Sequence, residues 1–261
     1  MRKNIVIANW KMNTNVDEGI ILLDEIMQLL TEAELNDTEV VICPPATHLY
    51  PLDALLVDYE KYELELYLGA QDCSTNKGGA FTGDLSAEQL AFAGASFVII
   101  GHSERRNYQA ETNVMLINKI DEALASVLNI VFCIGESETQ RTAGQQYDVI
   151  EQQLNIVLQA YKAKEFESFI IAYEPVWAVG TGNTATPEQA QEMHAYIRQL
   201  IEKKYGKTIA NQTQIVYGGS CNSQNCAAIF SQSDIDGGLI GSASLLSEEF
   251  LQIVSIASKV D

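Results

Sequence analysis

The stretch FIIAYEPVWAVGTG, residues 169–182, decides how the rest of the chain is interpreted. It begins with a continuous apolar run of β-forming residues and changes abruptly at Glu174 and Pro175. A strand that is apolar on both faces is typical of a parallel sheet covered by helices on each side. The sequence therefore predicts a buried strand that ends at a carboxylate.

Similar apolar runs recur along the whole chain. The eight runs are NIVIANW from 4, EVVIC from 39, ELYLGAQ from 65, FVIIG from 97, IVFCIG from 130, FIIAYE from 169, QIVYGG from 214 and DGGLIG from 236. Stretches with helical periodicity separate them, for example 17–30 and 187–205. Eight such strand–helix units predict an α/β fold, a single-domain (β/α)8 TIM barrel over residues 1–261. A doubly wound open sheet is the alternative, but no GxGxxG pattern follows the first strand.

The charge balance limits the possible partners. The chain has 16 Lys and Arg against 35 Asp and Glu, a formal net charge of −19. Such a surface repels nucleic acid and anionic membranes, so neither is expected as a partner, and a phosphorylated substrate would need a local cationic site. The apolar segment near the N-terminus is too short for a signal peptide, and no run of about 18 apolar residues occurs. We therefore expect a soluble, cytoplasmic protein.

The spacing of cysteine and histidine predicts no metal site. The 5 cysteines form no CxxC pair, and the 3 histidines lie far apart in the sequence. Reduced thiols fit a cytoplasmic location. Cys133, inside IVFCIG, is expected to be a small core residue rather than a nucleophile.

Polar or glycine residues follow most of the predicted strands. In a TIM barrel the active site lies at the carboxyl ends of the strands, here called the rim. The residues at these ends include Asn9, Lys11, Gln71, His102, Glu104, Glu136, Glu174, Ser220, Gly241 and Ser242. We expect them to converge on the rim, although they come from distant parts of the sequence.

Six motifs resemble one enzyme family in order and spacing. They are NWKMN (9–13), GAFTGD (79–84), GHSERR (101–106), AYEPVWAVGTG (172–182), YGGS (217–220) and GLIGSASL (238–245). Together they resemble the triosephosphate isomerase family over almost the whole chain. The resemblance implies interconversion of dihydroxyacetone phosphate and D-glyceraldehyde 3-phosphate in glycolysis and gluconeogenesis, without a cofactor, by a homodimer.

Moving a carbonyl along a triose requires a base and an electrophile. Glu174 is the predicted base, and burial at a strand end is expected to raise its pKa. His102 is predicted to donate a hydrogen bond as a neutral imidazole, because HSER reads as a helix start whose N–H groups disfavour an imidazolium. An isolated glutamate could instead cap a turn, and an isolated histidine could make a structural hydrogen bond. The surrounding motifs favour the catalytic interpretation of both.

Lys11 is predicted to attract the phosphate and to stabilise the negative enediolate. Asn9 is expected to orient beside it, and Glu104 to pair with it. Glu104 could equally be a charge at a helix N-terminus. Lys11 could instead be a solvated surface lysine. In so acidic a protein, however, a lysine at the rim favours a role in binding an anionic group.

The phosphate is expected to bind backbone N–H groups after the seventh and eighth strands, at Ser220, Gly241 and Ser242. The resemblance adds Gly180 to this set. The glycines could instead simply form turns. Serine at 242, where the family commonly has glycine, predicts a negative φ, because a side chain disfavours the left-handed region.

Residues 175–182 resemble a lid that closes over the substrate. Pro175 would form one hinge, and Val176, Trp177, Ala178 and Val179 an apolar cover; Gly180, Thr181 and Gly182 would form the flexible second hinge. A loop that is buried permanently is the alternative. The lid interpretation explains why Glu174 stands beside a hinge: closure would also position the base.

The loop 74–84 is expected to form a homodimer contact. Phe81 is an apolar anchor in a small, polar loop, and the resemblance places this loop, including Thr82, beside Asn9 and Lys11 of the partner subunit. Phe81 could instead pack on its own subunit.

Two other functional classes remain open from the sequence. A Schiff-base aldolase would need a lysine at a late strand end, where this chain has Glu174. A non-catalytic phosphosugar-binding barrel would keep the phosphate turns but would not need Glu174 or His102.

Overall fold

Eight parallel strands in the described residues close into a barrel. The computed structural model describes residues 2–33, 35, 37–59, 62–178 and 184–260. The strands are β1 (Ile5–Asn9), β2 (Glu39–Cys43), β3 (Leu66–Ala70), β4 (Ala95–Ile100), β5 (Asn129–Ile134), β6 (Phe169–Tyr173), β7 (Ile215–Tyr217) and β8 (Gly237–Ile240). They follow one another around the barrel in sequence order, which confirms the predicted fold class.

Helices surround the barrel. In the described parts of the chain they are α1 (Val16–Thr31), α2 (Leu49–Val57), α3 (Ala87–Phe92), α4 (Ser103–Tyr108), α5 (Asn113–Ala125), α6 (Glu138–Thr142), α7 (Gln146–Ala160), α8 (Ala163–Phe166), α9 (Pro187–Tyr205), α10 (Lys207–Gln212), α11 (Cys226–Phe230) and α12 (Ser247–Ala257). Short 3₁₀ turns occupy Ala46–His48, Val176–Ala178 and Ser242–Leu245. None of the described helices combines the length and apolar character that a bilayer crossing requires.

Local sequence signals explain where the long helices begin. Asn15 accepts a hydrogen bond from the N–H of Glu18, whose carboxylate accepts the Asn15 N–H in return, so α1 starts with a capping box. Thr186 and Gln189 form the same arrangement at α9, with Pro187 as the first helical residue. Both helices therefore start where the helical periodicity of the sequence begins.

Burial on both faces explains why the strands are continuously apolar. In β5, Val131 and Cys133 fill the interior of the barrel, whereas Ile130 and Phe132 pack in the layer between the strands and the helices. Cys133 is fully buried, as expected for a core residue. Since both faces of each strand bury apolar surface, polar residues are confined largely to the strand ends.

The barrel closes where the first strand meets the last. Ile5 lies opposite Glu39 on one side and opposite Gly237 on the other. Gly237 has φ of 130°, and a side chain at this position would clash with the carbonyl oxygen of Ile5. Only glycine adopts this φ readily and also leaves room for the Ile5 carbonyl oxygen, so Gly237 permits the barrel to close.

Candidate active site

A cleft opens at the rim and brings together residues from both ends of the sequence. Among the residues that line it are Asn9, Lys11, His102, Ser220, Gly241 and Ser242. They come from the ends of β1, β4, β7 and β8. Lys11 is the only lysine or arginine among the described residues of this cleft. The cleft thus supplies the local positive charge that an acidic protein needs to bind an anionic substrate.

The backbone around Lys11 is strained and is held by side-chain amides. Lys11 has φ of 53°, which is uncommon for a residue with a side chain. Its N–H donates to Asn9 Oδ1 at 3.1 Å, and its carbonyl oxygen accepts from Gln71 Nε2 at 2.8 Å. Gln71 also donates to Cys43 O at 2.9 Å, which ties this segment to the end of β2. The amides fix the direction in which the lysine side chain leaves the backbone.

The charged end of Lys11 lies between Glu104 and the turn after β8. Its Nζ is 2.6 Å from Glu104 Oε1, so the predicted ion pair is present. A methyl group placed on Gly241 would lie 3.7 Å from Lys11 Cε, which shows how near the turn approaches the lysine. Lys11 and Gly241 can therefore contact the same small anion.

Glu174 extends from the end of β6 into a site that glycine keeps open. Its N–H donates to Ile134 O at 2.8 Å, and a side chain on Gly135 would clash with the Glu174 carbonyl oxygen. The Glu174 carboxylate accepts the Ser103 N–H at 2.9 Å through Oε2. Its Oε1 lies 2.9 Å from His102 Nε2, and the residue is only 1% exposed. The two predicted catalytic groups are therefore in direct contact.

The expected rise in the pKa of Glu174 is wrong for this arrangement. Burial does act to raise the pKa, but the attraction of His102 and the hydrogen bond from Ser103 outweigh burial, and the pKa is lowered. The sequence showed that the strand end is buried but not which groups would face the carboxylate there. Glu174 is consequently ionised at neutral pH.

His102 caps α4 and presents its Nε2 to Glu174. Its Nδ1 accepts the N–H of Glu104 at 3.2 Å, so Nδ1 keeps its lone pair and the imidazole proton lies on Nε2. Burial acts to lower the pKa of His102, but the Glu174 carboxylate outweighs burial and the pKa is raised. The expectation that the helix start disfavours the imidazolium is therefore overridden here by Glu174.

The turn after β8 matches the prediction for Ser242. It forms a 3₁₀ turn, Ser242–Leu245, closed by Ser244, whose N–H and Oγ both donate to Gly241 O. Ser242 is absent from the described residues that have positive φ, so its backbone suits a side chain. The predicted negative φ is confirmed.

The first half of the predicted lid packs against the barrel. Val176 donates its N–H to Glu136 O at 3.0 Å, and Trp177 donates from Nε1 to Glu136 Oε1 at 2.9 Å. Pro175 and Ala178 are buried. Both the N–H and the hydroxyl of Ser220 donate to Ala178 O, at 3.2 and 2.7 Å.

The second half of the predicted lid is not described by the structure. Val179, Gly180, Thr181 and Gly182 lie outside the described residues, so the expected flexible hinge and the Gly180 contact stay predictions. Thr184, where the description resumes, lines the cleft. The loop therefore leaves and rejoins the barrel beside the candidate site.

Two positioning residues received no role from the sequence. Gln71 holds the Lys11 segment, and Glu136 accepts hydrogen bonds from Tyr173, Trp177 and Arg141 through the same carboxylate oxygen. Both were visible only as polar residues at strand ends. Their place at the carboxyl end of a strand was the only feature of the sequence that indicated a role for Gln71 and Glu136.

Comparison with known proteins identifies the family. The profile of the family described as triosephosphate isomerase matches residues 4–257. The chain belongs to the triosephosphate isomerase family. A protein of that name from Phocaeicola vulgatus is 48% identical over 254 residues, covering 97% of this chain and 98% of that protein. Triosephosphate isomerases from Porphyromonas gingivalis and Alkaliphilus oremlandii are 46% and 43% identical, covering 97% and 98% of this chain and 99% and 100% of theirs.

Family membership makes the chain an isomerase and places it in glycolysis. It supports catalysis over the two rival interpretations, a Schiff-base barrel enzyme and a non-catalytic phosphosugar-binding barrel. The carboxylate and the imidazole that face each other at the rim fit the same conclusion, since proton transfer next to a carbonyl needs both groups.

Proposed function

We propose that this chain interconverts dihydroxyacetone phosphate and D-glyceraldehyde 3-phosphate through an enediolate, with Glu174 as the base. The observation that carries the proposal is the contact between Glu174 and His102 beside a cleft that holds Lys11. A triose phosphate presents the matching groups: an acidic C–H, a carbonyl oxygen and a phosphate. Each has a partner of suitable chemistry at this rim.

Glu174 must exchange one set of contacts for another when substrate binds. In the resting arrangement its carboxylate is stabilised by Ser103 and His102 and is a weak base. Movement toward the cleft breaks the Ser103 hydrogen bond, while exclusion of water by the lid keeps the carboxylate desolvated. Loss of the stabilising contacts raises its pKa, so the base gains strength when the substrate is in place.

His102 and Lys11 stabilise the oxygen that becomes negative. Because Nδ1 is occupied by the Glu104 N–H, His102 can donate only from Nε2, and the departure of Glu174 frees this donor for the substrate. Lys11 adds a positive charge that Glu104 holds in the cleft. Asn9 supports the strained Lys11 backbone. Donors fixed before the reaction stabilise the enediolate without having to reorganise.

The phosphate is assigned to the turns after β7 and β8. Gly241 and Ser242 lie within reach of Lys11, and backbone N–H groups at the start of the 3₁₀ turn can bind anionic oxygens. Ser220 lines the same cleft, but its two donors bind Ala178 O in this structure. We infer that Ser220 turns from the lid residue to the phosphate, and that Gly180 joins it when the lid closes.

A coupled assay tests the proposed reaction. Formation of glyceraldehyde 3-phosphate from dihydroxyacetone phosphate is followed with the purified chain, with no metal or cofactor added. Rapid turnover that is lost in the Glu174→Gln variant supports the proposal. A chain that binds triose phosphate but does not turn it over would instead be the non-catalytic binding barrel.

Substitutions of Ser242 test the phosphate assignment. We expect Ser242→Gly to change KM by less than about tenfold with kcat nearly unchanged, because the backbone contact remains and the hydroxyl adds at most about 1 kcal/mol. Ser242→Asp should raise KM far more, because its charge would face the phosphate dianion. Measured KM and kcat for both variants decide the matter. If aspartate were tolerated as well as glycine, residue 242 would not line the phosphate site.

We further propose that two copies of the chain form a homodimer through the loop 74–84. The Ser74 hydroxyl binds Asp84 at 2.7 Å, so the ends of the loop are held together, and Phe81 remains 47% exposed. Beside the candidate site lies a second depression, in which the exposed Met12 and Tyr108 stand among polar and charged residues. An exposed aromatic residue and a depression that offers two exposed side chains with apolar surface, on the same chain, favour mutual insertion.

Replacement of Phe81 by aspartate tests this contact. We expect sedimentation velocity at micromolar concentration to show a dimer for the parent and mainly monomer for Phe81→Asp, because a charge cannot be buried without a partner. Val127→Asp is the matched control, since Val127 is 89% exposed and precedes β5, at the opposite end of the barrel. A parent that sediments only as monomer would refute the dimer, and equal dissociation of both variants would refute the role of Phe81.

We place the enzyme in the cytoplasm, where glycolysis supplies its substrate. All 5 cysteines are free thiols, and the net charge of −19 disfavours binding to nucleic acid or anionic membranes.

A further inference from the structure

One arginine beside the rim binds backbone oxygens instead of a carboxylate. Arg106 lies in α4, follows His102 by four residues and is half-buried. Within the described part of the chain it forms no ion pair, whereas its neighbour Arg105 pairs with Asp72 and Glu111. A charge that leaves water needs other groups to replace the water around it. For Arg106 these groups are peptide carbonyls, so its guanidinium acts on the backbone.

Arg106 holds both peptide carbonyls that flank His102. Its Nε donates to Gly101 O at 2.7 Å, and its backbone N–H donates to His102 O at 3.0 Å. A hydrogen bond from a charged donor is about twice as strong as one between neutral groups. The peptide planes on the two sides of the histidine are therefore fixed by one residue, and with them the direction in which the imidazole leaves the backbone.

Gly101 allows the guanidinium to come this close. Its φ is 77°, and a methyl group placed on it would lie 2.8 Å from Arg106 Nη2 and 3.3 Å from Cys133 O. A side chain at this position would therefore displace the guanidinium as well as strain the turn. The glycine and the arginine fit each other.

The far end of the guanidinium reaches the neighbouring strand. Arg106 Nη2 donates to Cys133 O in β5 at 2.8 Å, and Cζ lies 5.7 Å from the centre of the Phe132 ring. The next carbonyl of β5, Ile134 O, accepts the Glu174 N–H at 2.8 Å. Arg106 and Glu174 thus bind consecutive peptides of one strand. This strand fixes the segment that carries the imidazole relative to the segment that carries the base.

We propose that Arg106 is a positioning residue that keeps the His102 imidazole in place after Glu174 has left it for the substrate. The inference rests on the proposed function, in which Glu174 exchanges its contact with His102 for the substrate. In the resting arrangement Glu174 itself restrains the imidazole, at 2.9 Å from Nε2. When that contact is broken, the restraints that remain include the Glu104 N–H at Nδ1 and the two bonds from Arg106.

Loss of this support should lower kcat and leave KM nearly unchanged. Arg106→Met removes the guanidinium and should lower kcat by about 10²-fold, the scale of a displacement of about 1 Å at a reacting group. Arg106→Lys keeps the charge but not the planar fork, and should lower kcat roughly tenfold. KM should change by less than about threefold in both, because the phosphate is assigned to the turns after β7 and β8.

Asn129→Ala is the matched control at the opposite end of the same two strands. Asn129 Nδ2 donates to Ser96 O at 3.3 Å, so this side chain also joins β4 and β5 through a backbone carbonyl. Its loss should lower the temperature of unfolding without changing kcat. If Arg106 only stabilised the barrel, its variants would behave in the same way as Asn129→Ala.

Chemical rescue separates the planar fork from an effect on stability. Because Arg106 is half-buried, Arg106→Ala leaves a space that solutes can enter beside Gly101 O and Cys133 O. Guanidinium at millimolar concentration should bind there and raise kcat about tenfold. Methylammonium, which carries the charge without the fork, should not raise kcat. Guanidinium should activate neither the parent nor Asn129→Ala.

Nuclear magnetic resonance tests the position of His102 without turnover. The chain has 3 histidines, so isotope-labelled histidine gives few ring signals, and His102→Asn identifies the signals of His102 by their loss. We expect the His102 signals to shift in Arg106→Lys and Arg106→Met, whereas those of His48 and His194 keep their parent positions.

Three results would contradict the proposal. They are parent-like kcat in Arg106→Met, parent-like kcat in Arg106→Lys, and a low kcat with unshifted His102 signals. Should Arg106→Met fail to fold, Arg106→Lys and the rescue of Arg106→Ala decide. A parent without isomerase activity would refute the proposed function, while the His102 signals would still show whether Arg106 holds the imidazole.

Discussion

Replacement of Glu174 by glutamine is expected to lower kcat by roughly 10³-fold to 10⁴-fold, the scale on which a positioned general base contributes. Glutamine keeps the size of the side chain and an oxygen that can accept the Ser103 N–H, so the fold and the phosphate turns should remain. KM should change little, because the base acts on the transition state rather than on the bound substrate. Steady-state kinetics and thermal unfolding of the purified variant provide the measurement.

Glu202→Gln is the matched control for this substitution. Glu202 is exposed in the last turn of α9 and is not among the residues that line the cleft, so the same chemical change there should leave kcat unaltered. Should Glu174→Gln keep kcat within tenfold of the parent while Glu202→Gln behaves as expected, another group must remove the proton.

Replacement of Lys11 by methionine should lower kcat/KM by about 10³-fold, the upper range for loss of one donor to a developing oxyanion. Methionine preserves most of the length and the apolar stem of lysine but removes the only lysine or arginine side chain among the described residues of the cleft. It also leaves Glu104 without its ion-pair partner, next to the site proposed for the phosphate. We therefore expect kcat to fall and KM to rise, whereas Glu174→Gln should change kcat alone.

A double variant separates the two contributions. If the unpaired Glu104 repels the substrate phosphate in Lys11→Met, adding Glu104→Gln should bring KM part of the way back to the parent value. The double variant should not regain kcat. Lys203→Met, at an exposed position of α9, controls for the loss of one positive charge. Equal kinetics for the parent and Lys11→Met would exclude Lys11 from the site.

The fold could be predicted from the sequence because one physical constraint acts on every strand. Burial on both faces leaves continuous apolar runs such as 97–100 and 130–134, and polar residues remain at the ends. Helical periodicity between the runs then leaves few alternatives for the topology. The same constraint predicted which residues meet at the rim, including the Lys11–Glu104 pair.

Side-chain contacts at the rim were predictable only in part. Burial of Glu174 follows from its position at the end of β6. Whether its pKa is raised or lowered depends on Ser103 and His102, which reach the carboxylate from the end of β4. The support that Gln71 gives to Lys11 likewise depends on how two loops pack against each other. Such contacts join residues far apart in sequence and leave no periodic pattern, so only the three-dimensional arrangement reveals them.

Closure of the barrel between β1 and β8 determines when the enzyme becomes active during folding. Lys11 follows the first strand and Ser242 the last, so no contiguous part of the chain contains the complete cleft. A nascent chain that has not yet made β8 also exposes the edge of β1, whose unpaired backbone groups can bind other unfinished chains. Synthesis of the last strand therefore completes the cleft and removes an aggregation-prone edge in the same event.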